Sequence, residues 1–417
     1  MIHEFGFGKG IQTVDIPDAN LLAELLPNGH GENAPEETVI REALENPIGT
    51  GRLREMARGA HNVVILTSDI SRPMPTARVL PFVLEELNAA GVDDADITLV
   101  FGLGSHRHHT DEERRRLAGV CFDRIRCVDS DPSDCIHMGD TKAGTPVDIT
   151  RTVAEAGFRI CLGNIEFHYF AGYSGGAKAI MPGASTPGAI QCNHRLMVSE
   201  SACAGRIAGN PVRADIEEAE RLCPVDFILN VVLDEHKNIV RAVAGDVTLA
   251  HRKGCELLDA MYIKHIPQRA DIVIVSQGGA PKDANLYQTQ KALDNSKHAV
   301  KDGGTIILIG ACNEGFGNAR FESWMLNSAS PMAMIDRIGK NFELGGHKAA
   351  AIAMVLQHAE IDLVSDLDPT DVRRAFLVPY TSAQSAFDRA MEKHGKNATV
   401  ICMPYGGSTL PRAGEPS

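Results

Sequence analysis

Short apolar runs alternate with amphipathic stretches along the chain and predict a repeated strand–loop–helix pattern. Residues 63–66 (VVIL), 97–101 (ITLVF) and 158–162 (FRICL) are mostly apolar runs of the kind found in strands buried on both faces. After the first run, apolar residues between 80 and 87 recur on one face of a helix. The pattern is typical of the α/β fold class.

The later part of the chain repeats this pattern after a break. Residues 227–246 predict a β-hairpin, a helix follows to about 263, and the segment HIPQ at 265–268 reads as a boundary. A length of 417 residues favours two domains. We therefore predict two α/β domains, residues 1–267 and 268–417, with the last residues able to pack back on the first domain. Three further runs predict strands of the second domain: 272–275, 305–309 and 399–402.

Each of the first three strands ends in an unusual polar loop. The loops begin with TSDISRPMP (67–75), GLGSHRHHT (102–110) and the long stretch 163–196. Ligands of open α/β sheets bind outside the carboxyl ends of the strands. The three loops are therefore expected to converge on one site.

Composition narrows the class of protein. The formal net charge of −13 argues against binding to nucleic acid or to anionic membranes. The ten cysteines form no CxxC pair, which argues against a zinc ribbon and fits reduced thiols in a cytosol. The first residues lack the pattern of a signal peptide, and no apolar stretch approaches the roughly 20 residues that span a bilayer. We expect a cytoplasmic protein.

The loops of the first domain contain residue types that suit a chemical site. His106, with His108 and His109 beside it, is a candidate general base or metal ligand, and surface histidines are the alternative. Asp69 suits a helix N-cap, and Arg72 could bind a carboxylate or phosphate in a bidentate manner.

Two glycine-containing segments and one helical face are further candidates. The SGGAK turn could bring backbone N–H groups to an anion or could be only a tight turn. Gly345–Lys348 resembles a helix N-terminus that favours anions. In YQTQK, Tyr287 and Lys291 share one helical face, which could equally be an ordinary surface.

Five motifs together resemble the nickel-dependent lactate racemase family of 2-hydroxyacid racemases and epimerases. They span most of the chain in the order that this family shows. The resemblance implies two α/β domains with the active site in the cleft between them. The motifs are SDISRPMP (68–75), GSHRHHT (104–110), FHYFAGYSGGAKAIMPG (167–183), NHR (193–195) and YQTQK (287–291).

The resemblance also implies a cofactor and a set of site residues. The cofactor would be nickel in a nickel pincer nucleotide of the pyridinium-3,5-bisthiocarboxylic acid mononucleotide type, covalently linked to Lys178, with His194 as the nickel ligand. The remaining assignments are His106 and His168 as catalytic residues, Arg72, Tyr287, Gln288 and Lys291 as substrate-binding residues, and Asp69, Ser174, Gly175 and Gly176 as cofactor-binding residues.

The implied reaction inverts C2 of a 2-hydroxyacid by hydride transfer to the cofactor through a 2-keto acid. Expected partners are the small substrate and the cofactor-biosynthesis enzymes of the cell, with an oligomer allowed. Trp324 is the chain's single tryptophan and does not align with the family's substrate-side tryptophan, whereas His347 and Lys348 lie in roughly that region. We therefore expect that the substrate can be larger or more polar than lactate. The alternatives are a nicotinamide-type 2-hydroxyacid dehydrogenase and a non-catalytic protein that binds sugar acids or nucleotides.

Overall fold

The chain folds into two compact units. The structure, a computed structural model, describes residues 1–27, 34–234 and 236–414. We call Met1–Gly29 with Met261–Ser417 the terminal unit, and His30–Ala260 the central unit. The chain begins in the terminal unit with three strands: β1 (Ile2–Phe7), β2 (Gly10–Asp15) and β3 (Leu21–Glu24).

The central unit alternates strands and helices, as its apolar pattern predicts. Its strands are β4 (Val63–Ser68), β5 (Ile97–Gly102), β6 (Arg126–Asp129), β7 (Cys135–Asp140), β8 (Pro146–Thr150), β9 (Phe158–Asn164), β10 (Phe167–His168), β11 (Gly172–Tyr173), β12 (Phe227–Leu233) and β13 (Ile239–Gly245). Its helices are α1 (Glu36–Glu45), α2 (Leu53–Met56), α3 (Thr76–Ala89), α4 (Asp111–Ala118), α5 (Arg151–Ala154), α6 (Pro187–His194), α7 (Pro211–Leu222) and α8 (Leu249–Tyr262), the last of which continues past Ala260.

The main sheet of the central unit has the order β13-β12-β9-β4-β5-β6. β12 and β13 pair antiparallel, as the hairpin pattern predicts, and the other neighbouring strands are parallel. Ile65, Leu80 and Leu99 are fully buried in the core between the sheet and its helices. The apolar runs thus form the centre of this sheet because both of their faces are covered.

The rest of the terminal unit forms a second α/β assembly. Its strands are β14 (Ile263–Ile266), β15 (Ala270–Ser276), β16 (Val300–Ile309), β17 (Ala359–Val364), β18 (Val378–Tyr380), β19 (Val400–Met403) and β20 (Leu410–Ala413). Its helices are α9 (Leu286–Ser296), α10 (Ala319–Asn327), α11 (Pro331–Lys340), α12 (Gly346–Leu356), α13 (Pro369–Arg374) and α14 (Ala383–His394).

The main sheet of the terminal unit is parallel, with the order β18-β17-β16-β15-β19-β3. The α/β fold class is confirmed. The grouping of the first residues differs from the predicted division at 267, because β3 hydrogen-bonds with β19. The last strand, β20, pairs with β14 inside the terminal unit. In the part of the chain that the structure describes, every helix is too short or too polar to cross a bilayer.

Candidate active site

The carboxyl ends of three neighbouring strands of the central unit bring polar loops to one edge of its sheet. β4 lies between β9 and β5, and all three run in the same direction. Asp69 and Arg72 follow β4, His106 follows β5, and His168 follows β9. Strand order therefore groups residues that are separated by up to a hundred positions in the sequence.

The buried Asp69 carboxylate pairs with the partly exposed imidazole of His106. His106 Nδ1 lies 2.8 Å from Asp69 Oδ2, and the Asp69 side chain also accepts from the Ser71 hydroxyl at 3.0 Å. Burial opposes ionisation of Asp69, but the bonds from His106 and Ser71 outweigh it, so the pKa of Asp69 lies below its ordinary value. An ionised Asp69 holds the proton of His106 on Nδ1, which leaves Nε2 as the accepting nitrogen that a general base requires.

His168 has the opposite arrangement. It ends the short strand β10, which pairs with β11, and its Nδ1 accepts the Ala171 N–H at 3.2 Å. The neutral ring therefore carries its proton on Nε2. Burial lowers the pKa of His168 well below its ordinary value, and the positive charges of Lys178 and Arg72 lower it further. The two predicted catalytic imidazoles are thus held as different tautomers.

The SGGAK turn carries Lys178 on a backbone that requires glycine. Gly175 and Gly176 have φ angles of 75° and 57°. A Cβ on Gly176 would lie 2.8 Å from the His251 ring, and one on Gly175 would lie 2.6 Å from Asn230 Oδ1. The same Asn230 oxygen accepts the Gly176 N–H at 2.8 Å. The turn is therefore fixed by its neighbours in a shape that side chains could not adopt.

A buried imidazole and a buried guanidinium support this turn. His251 Nε2 donates to the Ser174 carbonyl at 2.8 Å, and the Arg213 guanidinium donates to the carbonyls of Ala171 and Tyr173. Arg213 and His251 are each 1% exposed. These bonds fix the backbone between Ala171 and Ser174, just before the glycine turn.

Lys178 lies in a positively charged environment. Burial lowers the pKa of its amine well below the ordinary value, Arg213 and Arg72 lower it further, and Glu166 opposes the shift. An uncharged lysine amine is a nucleophile, whereas an ammonium is not. The turn therefore presents a lysine that suits covalent attachment to a carbonyl or thiocarbonyl carbon.

His194 is held by a network that selects one of its two tautomers. It is the last residue of α6, and its Nδ1 donates to Asn193 Oδ1 at 2.9 Å. The Asn193 amide is oriented because its nitrogen donates to Asp215 at 2.8 Å and to the Val212 carbonyl at 3.2 Å. With the proton on Nδ1, Nε2 carries the lone pair that a metal ligand requires.

His168 and His194 are brought close together by one aromatic ring. Phe170 packs edge-on against both imidazoles, with ring centroids 4.4 Å from His168 and 4.9 Å from His194.

Among the described residues there is no group of three or more His, Cys, Asp or Glu side chains that could hold a metal ion. The structure thus brings Asp69, Arg72, His106, His168, Lys178 and His194 to the same end of the central unit.

The other predicted residues lie on helix α9 of the terminal unit. Gln288 and Lys291 are exposed on its surface and Tyr287 is half-buried, as the helical spacing predicts. Lys348, in the first turn of α12, donates from Nζ to the Tyr287 carbonyl at 2.5 Å and lies 4.1 Å from the centre of the Tyr287 ring. Burial, and to a smaller extent the charge of Lys291, lower the pKa of Lys348 to about 7.

Sequence reasoning did not find the residues that support the site. Asn193 lies within the NHR motif, but its partner Asp215 lies on α7, 22 positions away. Asn230 and His251 are even farther from the turn that they fix, and neither belongs to a local motif. Their roles depend on tertiary packing, so no short-range pattern could have revealed them.

Comparisons with known proteins show the family of the chain. Residues 7–205 match the family described as the lactate racemase N-terminal domain, and residues 265–410 match the lactate racemase C-terminal domain. The lactate racemase of Thermoanaerobacterium thermosaccharolyticum is 32% identical over 98% of this chain and 99% of its own length. The lactate racemase of Lactiplantibacillus plantarum is 32% identical over 96% of this chain and 97% of its own length.

Two solved structures are similar to the whole chain. The lactate racemase apoprotein from T. thermosaccharolyticum has a TM-score of 0.87 at 31% identity. The match covers 99% of this chain and 100% of the apoprotein chain. A protein from Thermotoga maritima has a TM-score of 0.59 at 18% identity, and the match covers 94% of this chain and 100% of the Thermotoga chain. At this identity the likeness supports the fold alone. Matches to both domain families and to full-length relatives lead to one conclusion: this chain belongs to the lactate racemase family, and it is an isomerase.

Proposed function

We propose that the protein is a nickel-dependent racemase or epimerase that inverts C2 of a 2-hydroxyacid. The observation that carries the proposal is the pair of imidazoles, His106 and His168, at one sheet edge with the amine of Lys178. Both relatives that match over nearly full length are named lactate racemases, which supports this reaction class.

The residues of the site fit the implied nickel pincer nucleotide. Lys178 would tether it, the backbone of Ser174, Gly175 and Gly176 would contact it, and His194 would be the protein ligand of nickel. When bound, the cofactor would supply the acceptor for the α-hydride of the substrate. Asp69, which we predicted to contact the cofactor, bonds with His106, so we now propose that it orients this imidazole.

The protein's own groups would perform the proton transfers and hold the substrate. His106 would accept the hydroxyl proton of one enantiomer at Nε2. His168 would serve the opposite enantiomer, for which its ring must give up the Nδ1 bond from Ala171 so that one nitrogen can accept the substrate proton. Removal of the proton and the hydride leaves a planar 2-keto acid that can be reduced on either face. Arg72 and Lys291, with Gln288 and Tyr287, would hold the substrate carboxylate and hydroxyl.

We also propose that the substrate can be larger or more polar than lactate. His347 and Lys348 begin α12 beside Tyr287, and together with Lys291 they supply polar groups rather than a purely apolar wall. A second carboxylate or additional hydroxyls on the substrate would suit these groups. We expect the reaction in the cytoplasm, with the cofactor supplied by the biosynthetic enzymes of the cell.

The proposal is tested by loading the protein in cells that make the cofactor. Intact-mass spectrometry should then find a covalent adduct of several hundred daltons together with nickel, and the protein should racemise at least one acid in a panel of 2-hydroxyacids. Lys178→Ala should lose both the adduct and the activity, because no amine remains to form the tether. Lys253→Ala, which removes an exposed lysine of α8, is the matched control and should keep both.

Three outcomes would contradict parts of the proposal. An adduct that persists in Lys178→Ala would exclude the tether. An unmodified, inactive wild-type chain from such cells would favour the binding-protein alternative. Oxidation of a 2-hydroxyacid that depends on added NAD, without racemisation, would favour the dehydrogenase alternative.

A further inference from the structure

His109 is a buried histidine that the proposed reaction does not use. It lies in the loop after β5, is 6% exposed, and packs edge-on against Phe101 with ring centroids 5.4 Å apart. A buried histidine usually has only a structural role, so the contacts of His109 must show whether it also acts on the site.

Both nitrogens of the His109 ring have defined partners. Nδ1 lies 2.6 Å from Asp129 Oδ1, and the other oxygen of Asp129 accepts the backbone N–H of His109 at 2.8 Å. Asp129, the last residue of β6, therefore anchors the residue twice. Because the carboxylate takes the Nδ1 proton, Nε2 is the accepting nitrogen, and it receives the backbone N–H of Ile70 at 3.0 Å.

The Ile70 bond connects His109 to the catalytic end of the sheet. Ile70 lies between Asp69, whose carboxylate accepts from His106, and Ser71, whose hydroxyl and N–H both donate to Asp69. A shift of the Ile70 backbone would therefore move the Asp69 carboxylate relative to His106 Nδ1. Displacements of about 1 Å at a supporting residue can lower a rate by about 100-fold.

We propose that His109 is a positioning residue: it holds the Ile70 backbone so that Asp69 meets His106 Nδ1 in the geometry that catalysis needs. The kinetic part of this inference rests on the proposed 2-hydroxyacid racemase function. The structural part, the hold of His109 on Ile70, does not.

Two substitutions separate the two bonds of the ring. In His109→Gln the amide oxygen can replace Nε2 and keep the Ile70 bond, whereas in His109→Asn the amide nitrogen can replace Nδ1 and keep the Asp129 bond. We expect His109→Asn in the cofactor-loaded protein to lower kcat by about 10- to 100-fold with KM nearly unchanged, and His109→Gln to stay within about threefold of the wild type. A purely structural role would instead lower the melting temperature and the active fraction of both variants, with kcat per loaded molecule unchanged.

A double substitution tests the path of the effect. If His109 acts through Asp69, His109→Asn should cause little further loss of kcat once Asp69→Asn is present. Additive losses would show that His109 acts by another route and would overturn the proposal.

Hydrogen exchange of the apoprotein gives a readout that does not depend on activity. The Ile70 amide should be protected in the wild type and in His109→Gln, and should exchange faster in His109→Asn, while amides of β4 keep their protection.

If His109→Asn does not accumulate as folded protein, Asp129→Asn, which weakens the anchor of Nδ1, should show the same increase in exchange at Ile70. Equal protection of Ile70 in all folded variants would overturn the inference. If the loaded wild type racemises no 2-hydroxyacid, the proposed function fails, and the exchange of Ile70 still decides whether His109 holds the loop.

Discussion

At the scale of single residues, the site depends on which nitrogen of each imidazole carries a proton. Asp69 holds the proton of His106 on Nδ1, Ala171 makes Nδ1 of His168 an acceptor, and Asn193 holds the proton of His194 on Nδ1. His106 and His194 thus present Nε2 as an acceptor, whereas neutral His168 presents an Nε2–H. The partners of the rings determine this division: a carboxylate for His106, a backbone N–H for His168 and a side-chain amide for His194.

The Asp69–His106 pair can be tested directly. Asp69→Asn should lower kcat by about 10- to 1000-fold, because a neutral amide neither fixes the Nδ1–H tautomer nor stabilises the imidazolium. The Lys178 adduct should remain, which intact-mass spectrometry would show. Steady-state racemisation kinetics of the loaded protein measure the effect.

A second histidine–aspartate pair offers a control for this substitution. His61 and Asp96 form a similar bond of 3.2 Å on the exposed surface of the central unit. Asp96→Asn should leave kcat unchanged. Full activity of Asp69→Asn would show that His106 does not need its carboxylate partner.

At the scale of elements, the central strands were predictable and the peripheral ones were not. β4 and β5 are continuous apolar runs because helices or loops cover both of their faces. β7 and β8 form a partly exposed antiparallel pair with polar residues, and they gave no such run. β17 escaped prediction because a buried aspartate, Asp362, interrupts its apolar residues.

The same division applies to the site. Motif residues such as His106 and Lys178 lie in the segments that follow predictable strands, so local pattern and family resemblance both indicated them. Asn193, Asn230 and Asp215 act across long sequence separations, and only the packed structure places them beside their partners.

The packing of α12 against α9 leads to a prediction on substrate choice. Lys348 places its amine at the Tyr287 carbonyl, on the helix that carries Lys291. Lys348→Met should raise KM for a dicarboxylic 2-hydroxyacid such as malate by about 10-fold relative to lactate, because a charge-assisted bond to the second carboxylate is lost. Competing racemisation assays with the two acids measure the ratio.

The control for this substitution is Lys340→Met, which removes an exposed lysine from the last turn of α11 and should not change the ratio. An equal loss for both acids in Lys348→Met would mean that Lys348 supports α9 rather than substrate choice.

At the scale of the whole molecule, the terminal unit contains a buried acid that couples its stability to pH. Asp362 is 0% exposed in β17, and neither of its carboxylate oxygens has a hydrogen-bond partner within the described part of the chain. Burial, and to a smaller extent the charge of Glu360, raise the pKa of Asp362 to about 7, although Arg389 and Lys393 oppose the shift. The folded chain therefore retains this proton to a higher pH than the unfolded chain does.

The sign of the effect follows from this difference. Stability is lost as the pH rises from about 4 towards about 7, by roughly 4 kcal/mol at most, and the loss is complete above that range. Asp362→Asn should remove this loss, so its free energy of unfolding should exceed that of the wild type by more at pH 8 than at pH 5. Urea unfolding monitored by the fluorescence of Trp324, the single tryptophan, reports on the terminal unit.

Asp388→Asn, on the exposed face of α14, is the matched control and should show no such difference between the two pH values. If the difference in free energy of unfolding between the wild type and Asp362→Asn is the same at pH 5 and pH 8, the pKa assignment is wrong.

The pairing of β3 with β19 has a consequence for how the chain reaches its native state during synthesis. The residues of β3 leave the ribosome long before their partner strand, which is made almost 380 residues later, as the separation of Leu21 and Val400 shows. The central unit is one uninterrupted stretch of sequence, so it can fold before the last strands of the terminal sheet have been synthesised. A fragment limited to the C-terminal domain, residues 265–410, would leave β19 as an unpaired edge and invite association with other chains. Strand β3 thus completes a sheet whose other strands all lie between residues 270 and 403.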